Sequence, residues 1–273
     1  MAYLESYRNR SAADDLAPPR VRWNARALIR WAITLTALIA VWELVTRLRL
    51  IHPLWLPAPS IVAQKFAEML ASGVIVRQTM STLTAVLLGV LMGGLPGAVL
   101  GLAMGASPRL RAIADPIVAA FHALPKIALL PLVIVAFGVG ETPRIVISAL
   151  GAFFPLLINC MAGARNIAPV YFEVSRNYGA SRAKTFARVI LPGSLPSLIT
   201  GLRLAANTSL LLTIAAEMVL PRSGLGAVIW RAWETMRIEE LYVGLIVAAT
   251  LGISIAAISG VLLRRFAPWH GQP

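Results

Sequence analysis

The chain has 273 residues, 58% of them hydrophobic and 14% charged, with 25 Lys and Arg against 12 Asp and Glu and a formal charge of +13. An apolar share this far above the ~45–50% of ordinary soluble domains excludes a soluble globular protein and marks an integral membrane protein. The basic residues are scattered between apolar stretches, which excludes a nucleic-acid interface. The single cysteine, Cys160, rules out an intrachain disulfide and a thiolate metal site.

A membrane-crossing helix needs about 20 largely apolar residues. Six stretches approach that length, near 28–46, 81–104, 113–138, 143–163, 195–220 and 241–263. The expectation is an all-α polytopic protein: a cytoplasmic tail over 1–27, a transmembrane domain over 28–268 and a short cytoplasmic tail over 269–273. The first apolar stretch exceeds the ~7–15 residues of a signal-peptide core and no small-x-small cleavage site follows it, so it is read as an uncleaved helix. In the second stretch Gly89, Gly93, Gly97, Gly101 and Gly105 recur every four residues. They share one slowly drifting helix face that admits close approach of another helix, either within this subunit or at a dimer axis. Pro96 is expected to bend that helix, and Pro125 and Pro131 in the third span and Pro196 near the start of the fifth are expected to kink or break those helices.

Ionisable groups inside spans are costly and point to function or pairing. Lys126, beside Pro125, is expected either to line a water-filled path or to form a buried ion pair. Glu217, near the outer end of the fifth span, is expected to brace an external gate. Glu43 reads as interfacial, Arg203 as snorkelling to the cytoplasmic surface and His122 as a packing residue. No catalytic pair and no metal-ligand set emerges.

Fifteen Lys and Arg fall on the side of the termini and of the loops around 105–112 and 165–194, against eight on the other side. By the positive-inside rule both termini and the 165–194 loop are cytoplasmic. That loop contains YFEVSRNYGASRAKTFARVILPGSLP over 171–196. Glu173 to Tyr178 is expected to form one short helix and Ser181 to Ile190 another. Gly179 supplies the turn between them, and Leu191-Pro192 is expected to end the second helix. Phe186, Val189 and Ile190 lie at helical spacing, flanked by Arg182, Lys184 and Arg188.

Glu173, Gly179 and Val189-x-Leu191-Pro192 match in spacing the cytoplasmic signature E-A-A, three residues, G, nine residues, I-x-L-P. Through these residues the chain resembles the binding-protein-dependent ABC importer permeases, with Val174 and Ser175 replacing the alanines and Val189 the isoleucine. LPAPSIV at 56–62, ALPKIALLPLVIVAFGVGE at 123–141, AEM at 216–218 and GLG at 224–226 resemble the nitrate, sulfonate and taurine branch.

The resemblance implies a pore-forming subunit in a bacterial inner membrane, without enzyme chemistry or a cofactor of its own. It implies a homodimer, an extracytoplasmic solute-binding protein and a separate cytoplasmic ATPase dimer that carries the Mg-ATP. The loop would dock on that ATPase through Glu173, Gly179, Ala180, Ser181, Arg182, Leu191 and Pro192. Glu173 would brace the first short helix, Gly179 would form the docking turn, and Leu191-Pro192 would lead rigidly into the fifth span. Lys126 and Glu217 would lie on the path or its gate, and the solute would be a small anion such as nitrate, taurine or an alkanesulfonate. GASRAKT at 179–185 lacks the glycine that a phosphate-binding loop places directly before its lysine, consistent with ATP binding on another polypeptide. The competing reading is a self-contained secondary transporter or channel; it predicts internal repeats, and the halves of this sequence show none.

Overall fold

The computed structural model describes residues 25–52 and 54–266. The tail expected over 1–27, apart from its last three residues, and the tail expected over 269–273 lie outside the described residues. No strand occurs among the described residues, and the helices follow in the order α1 (Ala25–Arg47), α2 (Pro59–Ala71), α3 (Val74–Gly89), α4 (Leu95–Ala106), α5 (Pro108–Ala123), α6 (Leu130–Phe137), α7 (Glu141–Arg165), α8 (Pro169–Asn177), α9 (Arg182–Thr185), α10 (Leu191–Val219), α11 (Leu225–Glu234) and α12 (Ile238–Phe266). Only helices are expected here, because backbone amides in hydrocarbon have no water to bond and must be satisfied within the segment.

Five continuous helical stretches are long and apolar enough to cross a membrane: Ile29–Arg47, Val74–Ala106, Glu141–Arg165, Arg182–Val219 and Ile238–Leu263. The sixth predicted span is a bent pair, Pro108–Ala123 and Lys126–Phe137, whose halves meet at 83°. The break falls at Leu124-Pro125, where proline disfavours helical geometry in the residue before it; Leu124 is extended, with ψ of 135°.

α7 is the central element. It packs along α10 on one side and α4 on the other, and its residues enter three of the four buried clusters. Ala152, Leu156 and Cys160 join Leu102, Ile190 and Ala205; Phe154 and Leu157 join Met104 and Val118; and Ile147 joins Leu130, Val133 and Ala216. Cys160 is fully buried among these groups, as a packing residue. The fourth cluster ties α2, α3, α11 and α12 together through Val62, Met69, Ile75, Leu225, Val228 and Val243.

The glycine stripe answers to α7 and not to a dimer axis. A methyl group at Gly89 would overlap the Ser148 side chain, and one at Gly93, Gly97 or Gly101 would overlap the backbone carbonyl of Ala149, Phe153 or Leu157. Every fourth residue of this span therefore brings two backbones into direct contact, which a β-carbon would forbid.

Two prolines are accommodated by the same device. A five-residue π turn, Val90–Gly94, precedes Leu95-Pro96, and another, Phe186–Ile190, precedes Leu191-Pro192. In an α-helix each proline ring would strike the carbonyl four residues back; the wider turn relieves that contact and the helix continues. This corrects the expectation that Leu191-Pro192 ends the second short helix. The fifth span starts at Arg182, not near 195, and runs unbroken for 38 residues, with Pro196 buried inside it.

Candidate functional site

The 165–194 loop folds as a knob of two capped helical ends. α8 begins with Pro169 in its first turn, where the missing N–H costs nothing. At its other end the Ala180 N–H donates to the Ser175 carbonyl and the Gly179 N–H to the Arg176 carbonyl, both at 2.9 Å. These are the paired bonds of a Schellman cap, whose pivot must be left-handed; Gly179 has φ of +63°. Two residues later the Ser181 hydroxyl accepts the Lys184 N–H and caps α9. A side-chain bond of 2.6 Å between the Ser175 and Thr185 hydroxyls fastens the two helices across the turn.

Gly179, Ser181 and Arg182 are exposed at the tip and Ala180 is half-buried, while Leu191 and Pro192 are exposed where the knob enters α10. A β-carbon at Gly179 would meet no atom of this chain within 4 Å. Glu173 is exposed and carries no side-chain hydrogen bond or ion pair among the described residues. Within the subunit the two short helices are fastened to each other by Ser175 and Thr185. That pair was missed because hydroxyls ten residues apart carry no periodic signal. The knob also exposes large apolar surface: Tyr178 is 86% exposed, Tyr171 60% and Val174 48%. With Lys184, Arg188 and Val189 they border a groove of about 340 Å³ between the two short helices. An apolar floor with basic walls is the character of a partner-binding patch.

The second constellation lies at the opposite ends of the spans and centres on Glu217, whose side chain is fully buried. Its carboxylate accepts from the Thr82 hydroxyl at 2.9 and 3.0 Å, from the Gly226 N–H at 3.0 Å and from Arg144 Nη1 at 3.4 Å. The Leu225 N–H donates to Thr82 Oγ1 at 2.8 Å and the Gly224 N–H to Gln78 Oε1 at 2.6 Å. The amides of the cap residue Gly224 and of the first two residues of α11, which no helical carbonyl can satisfy, are thus met by α3 and α10. The carboxylate also lies at the positive end of the α11 dipole. Gly224 has φ of +101°, and any β-carbon there would overlap the Glu217 carboxylate. Arg144 completes the network with the Ser81 hydroxyl at 3.0 Å, the Ser223 hydroxyl at 3.1 Å and the Glu141 carboxylate.

The AEM and GLG segments are therefore neighbours in space, joined by the Glu217 to Gly226 bond. Glu217 was legible in the sequence as an ionisable group within a span. Gln78, Ser81, Thr82, Arg144 and Ser223 were not, since α11 was not foreseen as a helix and its open amides could not be assigned partners. Glu141 and Arg144, three apart on one helix, were the only local hint.

Lys126 is half-buried at the break between α5 and α6. Its ammonium donates to the His122 carbonyl at 2.6 Å, near the end of α5, and sits 4.9 Å from the centre of the Phe154 ring. The expected ion-pair alternative is not realised: no carboxylate lies within 4 Å among the described residues. A helix-end carbonyl and a cation–π contact replace it. His122 packs on the same ring at 5.2 Å. Arg203 is exposed, and Glu43 accepts the Ser60 N–H at 3.0 Å at the start of α2. No cluster of three metal-binding side chains occurs among the described residues.

Comparison with known proteins adds the following. Residues 85–270 match the family described as binding-protein-dependent transport system inner membrane component. The chain is 34% identical over 257 residues to the taurine transport system permease protein TauC of Escherichia coli K12, covering 92% of this chain and 94% of that protein. It is 35% identical over 250 residues to the putative aliphatic sulfonates transport permease protein SsuC of the same organism, again covering 92% and 94%. It is 34% identical over 260 residues to the riboflavin transport system permease protein RibX of Chloroflexus aurantiacus, covering 93% and 96%. Among solved structures, an inward-facing MetNI methionine ABC transporter chain superposes with a TM-score of 0.63 at 20% identity, over 71% of this chain and 96% of that one. That likeness shows the fold.

Proposed function

The chain belongs to the binding-protein-dependent inner-membrane components of ABC importers, and from that premise we propose that its 165–194 knob is the surface that engages a cytoplasmic ATPase. It is a multi-pass permease subunit, and its family works with an ATPase and a solute-binding protein. The observation that carries the docking assignment is the doubly capped, exposed turn at Gly179, held by the Ser175 to Thr185 bond and continuous with a 38-residue span. Movement applied to the tip is carried along one helical stretch instead of being absorbed in a loop. Glu173, Gly179, Ala180, Ser181 and Arg182 form the contact, and Leu191 and Pro192 join it to the span.

In this reading two copies of the chain surround one path, both termini are cytoplasmic, and two ATPase subunits hold the Mg-ATP. Closure of the ATPases drives alternating access, since ATP can shift the permease only by favouring one of its states. Glu217 fixes α11 at the outer end as part of the gate, and Lys126, at the broken third span, faces the path. The solute is taurine, an aliphatic sulfonate or nitrate. The taurine and aliphatic sulfonate permeases among its relatives support that choice, and Lys126 offers a cation to an anion on its way through.

The test is reconstitution of the permease with the ATPase and binding protein of its own operon in liposomes. Binding protein loaded with taurine, an alkanesulfonate or nitrate is expected to stimulate ATP hydrolysis and uptake of the labelled anion. Stimulation by a neutral or cationic solute with none by these anions would refute the solute assignment.

A further inference from the structure

We propose that the cleft between α1 and α2 is a binding site for one anionic phospholipid, with an acyl chain in an apolar groove and the phosphate on Arg47 and Arg49. The groove, about 270 Å³, is lined by Ile39 and Trp42 of α1, Val62 and Phe66 of α2, and Val243 and Ile246 of α12. Beside it lies a second cavity of about 310 Å³, bordered by Thr46, Arg47 and Arg49 together with Ala58 and Ser60. Ile39, Trp42 and Thr46 are spaced three and four apart, so they share one face of α1. The apolar groove and the basic cavity thus follow each other along the same helix.

Three observations select a lipid with a charged head. First, only 6% of the α1 span is buried within the chain, so the groove opens directly on the surrounding bilayer. Second, aromatic residues of the kind that settle at headgroup depth gather at its mouth. The Trp42 indole N–H donates to the Pro57 carbonyl at 3.1 Å, Trp42 and Tyr242 stand 6.0 Å apart, and the Tyr242 hydroxyl donates to the Trp55 carbonyl at 3.0 Å. Third, the local charge is positive and partly unspent. Glu43 is engaged by the Ser60 N–H and hydroxyl and by Arg47 Nε, while the terminal nitrogens of Arg47 and the whole Arg49 guanidinium have no acceptor among the described residues. Lys65 on α2 is already committed to Glu68 and Glu240 at 3.2 and 3.3 Å, which hold its ammonium above the usual lysine range. The two arginines are left for a phosphate, whose geometry a guanidinium matches.

The full chain would be reconstituted in phosphatidylcholine vesicles containing a minority of phosphatidylglycerol, then extracted in mild detergent and its retained lipid counted by native mass spectrometry. Wild type is expected to retain phosphatidylglycerol in preference to phosphatidylcholine. Each basic residue near a membrane surface is worth roughly 1 kcal/mol toward anionic lipid, so R47Q/R49Q is expected to lower that preference about 30-fold. Ala63→Trp, which fills the groove from α2, is expected to release both lipids. Arg222→Gln, at an exposed arginine outside both cavities, serves as the control for surface charge and is expected to change nothing. An unchanged preference in R47Q/R49Q, equal retention of the two lipids by wild type, or replacement of lipid by a second copy of the chain at Ala63 would each overturn the proposal.

Discussion

Glu217 is a buried carboxylate answered by a hydroxyl, a helix-start amide and a guanidinium, and its removal has consequences on both sides. Glu217→Ala leaves the Gly226 amide without an acceptor and Arg144 with Glu141 as its one carboxylate partner among the described residues, so a loss of about 3–5 kcal/mol is expected, the range for breaking a buried pair. Glu217→Gln keeps the shape and the Gly226 acceptor and is expected to cost less. Thermal unfolding in detergent measures both; equal midpoints for Glu217→Ala and wild type would show that the network does not hold α11. Gly179 is the opposite kind of residue. Nothing in the subunit crowds it, so its conservative requirement is the left-handed backbone, at roughly 1–2 kcal/mol for a side chain. Residues of both kinds stood out in the sequence, one as a charge in an apolar run and the other by motif spacing. Their partners did not, because contacts between residues more than a hundred positions apart, such as Thr82 and Glu217, leave no local pattern.

At the scale of elements, the glycine stripe was readable as a close-packing face, but its partner was not: periodicity states that a face is special without naming what lies against it. The structure assigns it to α7. Gly101→Val is expected to destabilise by about 1–3 kcal/mol or more, as for other overpacked sites, because its β-carbon meets the Leu157 backbone. Gly73→Ala, where φ is +70° but no atom lies within 4 Å, is expected to cost about 1 kcal/mol from backbone strain alone. Equal midpoints for the two variants would mean that α4 and α7 are not in backbone contact. The misplacement of the fifth helix start has a different cause. Proline was read as a terminator, whereas a π turn before it lets the helix continue; that turn is set by the packing of Ile190 into the α4, α7 and α10 cluster, which no local rule reveals. α11 escaped notice because its ten residues are too short to span and too apolar for a surface helix.

For the whole molecule, five continuous spans and the bent α5–α6 pair place the Gly179 knob and the Glu217 network at opposite ends of the bundle. In the orientation we propose, which rests on the distribution of Lys and Arg, the knob is cytoplasmic. In a Cys160→Ala background, Ser181→Cys is expected to resist a membrane-impermeant thiol reagent in intact cells and to react in inverted vesicles. Labelling from outside would reverse the orientation. The central claim is that the knob transmits the state of a separate ATPase to the spans. Its most direct test is binding-protein-stimulated ATP hydrolysis by Gly179→Val in liposomes, with the amount of co-purifying ATPase measured in parallel. Near-normal abundance in the membrane is expected, because a β-carbon at Gly179 meets no other atom of the chain within 4 Å, together with loss of ATPase association or of stimulated hydrolysis, while Ser181→Ala retains most of both. Wild-type association, hydrolysis and uptake in Gly179→Val would contradict the claim.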